Sequence, residues 1–135
     1  MLYGIMAVFE RVNAMPSQGS ASGFSLGDSS GCVRAVLATL GIASHIITPA
    51  EWKKHFSLIT AQPKRTKRTK PPETTMEAEK KLATLRAQAK VQAKETARAL
   101  AIQLYPAAAQ YLARKADHNR AEAVLIGRYG YEELR

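Results

Sequence analysis

A single cysteine, Cys32, occurs in the 135-residue chain, which excludes an intramolecular disulfide framework and any zinc site built on cysteines. That scarcity fits a reducing, cytoplasmic setting. Long apolar runs are also missing. The first nine residues are apolar, but no basic stretch precedes them, and Glu10 and Arg11 follow too early for a signal peptide or a spanning helix. Nothing therefore targets the chain to a membrane. Acids are few as well: 11 Asp and Glu stand against 20 Lys and Arg, a formal charge of +9. So large an excess favours a polyanionic partner, with nucleic acid ahead of an anionic membrane surface. What is plentiful is apolar side chain, at 46% of the residues, enough for one core and one domain over residues 1–135.

Residues 2–12 are rich in β-branched, aromatic and other apolar residues and predict a buried strand. Residues 13–31 turn to Ser, Gly, Pro and Gln, the composition of a loop with special backbone angles. From about Ser29, the spacing of Val33, Val36, Leu37 and Leu40 predicts an amphipathic helix with Cys32 in its packed face, closed by Gly41. A short strand is expected over residues 42–47. Thr48-Pro49-Ala50-Glu51 then combines a capping box with proline at the first helical position, predicting a helix from Pro49 to about Phe56. Strand, loop, helix, strand and helix in this order predict an α/β layer.

Residues 62–72 hold Lys64, Arg65, Lys67, Arg68 and Lys70 among three prolines and predict a flexible basic loop. Beyond it, residues 76–105 are good helix formers and predict one long helix, broken at most once. Pro106 ends it or begins the next turn, and residues 107–113 are expected to be helical again. Asp117 is placed to cap a last helix through about Tyr129, with Gly130 at its C-terminal end.

Two acidic features stand out. Glu10 lies inside an otherwise apolar strand, where an unpaired carboxylate is costly and needs a compensating partner. The competing reading puts it on a solvent face or beside Arg11 or Arg34. The second feature is Asp117-His118-Asn119-Arg120-Ala121-Glu122, in which His118 and Glu122 share a helix face and Asp117 sits at the helix start. Here the competing reading is an ordinary N-cap and a solvated acid. Metal-dependent phosphodiester hydrolysis needs such carboxylates gathered from several elements around two divalent ions.

The stretch Val8-Phe9-Glu10-Arg11-Val12-Asn13-Ala14-Met15-Pro16-Ser17-Gln18-Gly19, followed by Phe24, Gly27, Gly31 and the Val36-Leu37 helix, resembles the central segment of RuvC-like Holliday-junction resolvases. Trp52-Lys53-Lys54, Leu104-Tyr105-Pro106 and Lys115-Ala116-Asp117-His118-Asn119-Arg120-Ala121-Glu122-Ala123 with Tyr129-Gly130 match the same branch in the same order. The resemblance implies a ribonuclease H-like mixed sheet flanked by helices and hydrolysis of branched DNA by a homodimer. Magnesium, or manganese in its place, is the implied cofactor, and no small-molecule cofactor is expected. Glu10 matches the second acidic metal ligand. Asp117 and Glu122 match the acids of the last helix, with His118 placed to assist. Simpler family members space those acids three apart, whereas here five residues turn the helix by about 140°, so His118 with Glu122 is an alternative pair. The family's first aspartate, in a Gly-Ile-Asp-Pro-Gly-like turn, has no counterpart: Gly4-Ile5-Met6 carries no carboxylate. The resemblance therefore implies an N-terminally truncated domain, impaired by itself, with an exposed sheet edge.

Binding rests less on the resemblance. Lys64, Arg65, Lys67, Arg68 and Lys70 in the loop, and Lys90, Lys94 and Arg98 at four-residue spacing, form a cationic tract for phosphates. Gln18, in the polar loop, is a further candidate for approach to the DNA backbone. A non-catalytic DNA-binding remnant is the alternative function. A basic RNA-binding protein is a third, disfavoured by the lack of stacking aromatics in the tract.

Overall fold

A computed structural model describes residues 4–13, 18–59 and 75–134 of the chain. The basic segment with Lys64, Arg65, Lys67, Arg68 and Lys70 lies outside the described residues, as does Met15. The chain forms two compact units, Met1–Phe56 with Ala123–Arg135, and Ser57–Glu122.

In the first unit, β1 (Met6–Glu10) and β2 (Ala43–Ile47) pair in parallel, with Met6 opposite Ala43 and Glu10 opposite Ile47. The Arg11 amide extends the ladder by donating to the Ile47 carbonyl at 2.7 Å. Parallel strands need a crossover, and α1 (Ser20–Thr39) supplies it. Among the described residues the chain is thus mixed helix and strand, with a two-stranded parallel sheet.

Helix α1 begins at Ser20 and so overturns the expected loop over residues 20–31, while residues 14–17 lie outside the described residues. No proline interrupts residues 17–48. Hydroxyls that favour turns instead bond back into the helix, Ser29 Oγ donating to the Ser25 carbonyl and Thr39 Oγ1 to that of Ala35, both at 2.9 Å. Gly23, Gly27 and Gly31 each cost the helix about 1 kcal/mol relative to alanine, yet α1 buries no residue to offset them. The expected packed face is largely open: Val33, Val36 and Leu40 are exposed, and Cys32 is an exposed thiol rather than a core residue.

The end of α1 follows the expectation. Gly41 takes a left-handed φ of 65°, and its amide donates to the Ala38 carbonyl while that of Ile42 donates to Leu37. That pair of bonds is a Schellman cap, and glycine meets it without strain. The next helix, α2 (Pro49–His55), opens on the expected capping box: the Glu51 amide donates to Thr48 Oγ1 and the Thr48 amide to the Glu51 carboxylate.

The second unit holds α3 (Thr75–Leu104), which runs unbroken for 30 residues. Its buried positions are Ala97 and Ala101, whereas Met76, Leu85, Val91 and Leu104 are exposed. Pro106 ends the helix, and Pro106–Tyr111 is a 3-10 helix, so the helical stretch expected over residues 107–113 forms as far as Tyr111. A second short turn, Lys115–Asp117, leads into α4 (His118–Glu133). Gly130 does not end α4. It is a buried interior position, where a methyl group would overlap Val8 Cγ2 and stand 3.2 Å from Val8 Cβ. Gly130 therefore lets α4 approach β1 closely. Ile47, Trp52, Leu125 and Ile126 are the other buried residues of the first unit.

Candidate functional site

Glu10 occupies the carboxyl end of β1, the end of a parallel strand where ligands of open α/β sheets are bound. Its partner is neither Arg11 nor Arg34. The Trp52 indole N–H donates to Glu10 Oε1 at 3.0 Å. Trp52 is fully buried, and a buried indole N–H without an acceptor is costly, so each group answers the other's need. Glu10 Oε2 has no hydrogen-bond partner among the described residues, leaving one oxygen of a hard, anionic donor to engage a cation or water.

Asp117 lies in the second unit and is 5% exposed. Its carboxylate turns back along the chain rather than capping α4. Oδ2 accepts from the Arg114 amide at 3.1 Å and from Arg114 Nε at 3.2 Å. Oδ1 accepts from Arg114 Nη2 at 3.1 Å and, more weakly, from Arg120 Nη1 at 3.4 Å. No α4 amide is among its donors in the described residues, which corrects the expected N-cap role. The Arg114 side-chain hydrogen bonds hold the Asp117 carboxyl below the usual aspartate range, outweighing the opposite effect of burial. Both oxygens are thus committed to guanidinium and amide donors, a poor starting point for a metal ligand.

His118 is held on both ring nitrogens. Lys94 Nζ stands 3.0 Å from Nε2, and Nδ1 stands 3.1 Å from the Lys115 carbonyl. Because an ammonium only donates and a carbonyl only accepts, these contacts assign the ring hydrogen to Nδ1. Glu122 is half-buried, with no partner among the described residues. It is the acid of α4 whose oxygens are open to a cation. Within either unit, no three His, Cys, Asp or Glu side chains among the described residues gather closely enough to hold an ion together. Taken singly, Glu10 in the first unit and Glu122 in the second each keep carboxylate oxygen open to a divalent ion, whereas Asp117 as it is held does not.

The Lys90, Lys94 and Arg98 stripe divides by role. Arg98 donates through Nη1 to the Leu112 carbonyl at 2.8 Å and to that of Ala113 at 3.1 Å. Its remaining nitrogens pair with Glu95, and its side chain is only 15% exposed. Arg98 therefore ties the carbonyls that follow the 3-10 helix to α3, a structural task that four-residue spacing does not reveal. Lys90 and Lys94 are exposed. Gln18, in a bend just before α1, donates to Ser22 Oγ at 3.0 Å. Sequence reasoning missed Trp52 and Arg114 as partners of the two key acids.

Among the described residues, no helix is long and apolar enough to cross a membrane. Compared with known proteins, the chain matches no protein-family model and no curated protein.

Proposed function

We propose that the chain is the Glu10- and lysine-bearing part of a ribonuclease H-like nuclease of the RuvC kind, hydrolysing phosphodiesters of branched DNA in the cytoplasm with magnesium or manganese. The observation that carries this reading is the Glu10 carboxylate, held through one oxygen by a buried indole at the end of a parallel strand, with its other oxygen unengaged among the described residues. A bound divalent ion supplies Lewis acidity to such a reaction. The protein's own contribution is to hold Glu10 and Glu122 as acceptors and to offer Lys90 and Lys94 to phosphates. Cleavage of a four-way DNA junction tests it. Wild-type protein is expected to cut only with magnesium, even if slowly, and Glu10→Gln is expected to lose cutting while still binding the junction. Undiminished cutting by Glu10→Gln rejects the reading.

The arginine clamp on Asp117 favours a second reading, a DNA-binding protein without catalysis. That reading expects salt-sensitive junction binding with no metal-dependent hydrolysis, even at high protein concentration. RNA that competes better than the junction would instead favour an RNA-binding role.

A further inference from the structure

In the second unit, one buried acid holds two arginines at the surface. Arg114 and Arg120 both bond to Asp117 Oδ1, at 3.1 and 3.4 Å. The two guanidiniums are therefore near neighbours set against a single negative charge, and one positive charge is left over. Asp117 is buried, whereas the side chains of Arg114 and Arg120 are 74% and 62% exposed. The acid lies beneath, and the cations face solvent. Arg114 commits one edge to the acid, Nε to Oδ2 at 3.2 Å and Nη2 to Oδ1. Arg120 commits only Nη1. Arg114 Nη1 and Arg120 Nε and Nη2 have no partner among the described residues, so each guanidinium keeps outward N–H donors to offer.

We propose that Arg114 and Arg120 form a clamp for a phosphate group of the DNA backbone, and that Asp117 is the positioning residue that orders the clamp. A guanidinium is a rigid planar fork of donors, so fixing one edge of Arg114 on Asp117 also fixes where its remaining N–H groups point. A phosphodiester presents two free oxygens, and neighbouring arginines can bind them through charge-assisted hydrogen bonds. Long side chains lose rotamer freedom when they bind, and ordering them beforehand removes part of that cost. Asp117 does not compete with the phosphate, because it is buried and both of its oxygens already accept from Arg114. Such a clamp positions the backbone and carries no sequence information. The inference rests on the nucleic-acid part of the reading above, not on a metal or on catalysis. It gives Asp117 a task that its bound state allows, in place of metal ligation.

Binding of a labelled four-way DNA junction in EDTA, followed by fluorescence anisotropy, tests the clamp apart from cleavage. Arg114→Gln and Arg120→Gln are each expected to flatten the plot of log affinity against log salt by about 1. Asp117→Asn decides the role of the acid, because it adds a positive charge to the protein yet removes the acceptor that orders both arginines. It is expected to weaken binding about threefold to tenfold, the cost of ordering one or two side chains. Glu77→Gln makes the same change of charge on an exposed turn of α3 and is expected not to weaken binding. In an Arg114→Gln/Arg120→Gln background, Asp117→Asn is expected to cost nothing further, a result that misfolding would not give. Wild-type protein supplies a readout free of variants. In heteronuclear NMR the Arg114 and Arg120 Nε–H signals are expected to shift on adding the junction, while that of Arg98, tied to the Leu112 and Ala113 carbonyls, stays in place. Tighter binding by Asp117→Asn, an unchanged salt slope in both arginine variants, or arginine signals that move only with RNA overturns the proposal. Any of these beside cutting that depends on Glu10 leaves the nuclease reading standing, whereas the expected binding without cutting keeps the clamp and rejects catalysis.

Discussion

Replacing Gly130 by alanine pits two effects of known sign against each other. In a helix interior, alanine is favoured over glycine by about 1 kcal/mol. At Gly130 the added methyl group overlaps Val8 Cγ2 and stands 3.2 Å from Val8 Cβ. Forcing a methyl into a closed contact costs about 1–3 kcal/mol, so the clash outweighs the propensity gain. Gly130→Ala should lower stability by up to about 2 kcal/mol, a fall of about 3–8 °C in melting temperature. Two companions isolate the cause. Gly127→Ala, on the same helix with no neighbour within 4 Å, should raise stability by about 1 kcal/mol. In a Val8→Ala background, where the clashing methyls are gone, Gly130→Ala should also stabilise. Urea unfolding of all five proteins, followed by circular dichroism, gives a coupling between positions 8 and 130 of about 1–3 kcal/mol. If Gly130→Ala stabilises the wild-type background as much as the Val8→Ala background, α4 does not rest on β1 at this point and the packing described is wrong.

Other consequences follow from the same contacts. Trp52→Phe keeps the aromatic packing but removes the N–H that Glu10 accepts; losing a hydrogen bond to a charged group should cost about 1.5–3 kcal/mol, read as a lower urea midpoint. The Asp117 and Glu132 carboxyls are both held below their ordinary values of 3.8 and 4.5, Asp117 chiefly by the Arg114 side chain and Glu132 chiefly by His55. Groups depressed in the folded state add stability above their unfolded values and lose it as pH falls through the folded ones. Melting temperature should therefore be level from pH 7 to about 5 and decline below about 4.5, with a shallower decline in Asp117→Asn; an equal decline there would contradict the arginine clamp. For DNA binding, a Lys90→Ala/Lys94→Ala variant should flatten the plot of log affinity against log salt by about 1–2, whereas an unchanged slope would remove both lysines from the interface.

Local rules read well wherever local bonds decide the structure. Thr48 and Glu51 close the capping box that their spacing predicts, and Gly41 supplies the left-handed turn after α1. The strand at Glu10 is likewise legible from its apolar composition. Composition misled at α1, where serine and glycine suggest a loop but the hydroxyls bond to carbonyls one turn back. Gly130 looks like a helix end in sequence, yet its reason is a tertiary approach to Val8 that no local pattern encodes. The same limit explains Arg98, whose partners lie 14 and 15 residues away, and Glu10, whose indole donor lies 42 residues away. One signal for that last pair was present: a lone acid in an apolar strand and the chain's only tryptophan each need a polar partner when buried. Asp117 was less accessible, because an acid before a helix reads as an N-cap whether its carboxylate turns forward to the helix or back to Arg114.

Because Trp52 is the only tryptophan in the chain and its indole N–H stands 3.0 Å from Glu10 Oε1, its fluorescence reports on that carboxylate directly. Titration with manganese, a paramagnetic quencher, asks whether Glu10 binds a divalent ion. The expected result is saturable quenching of Trp52 emission that magnesium reverses and that Glu10→Gln abolishes. Quenching that never saturates, or that is the same in wild type and Glu10→Gln, would contradict Glu10 as a metal ligand and with it the nuclease reading.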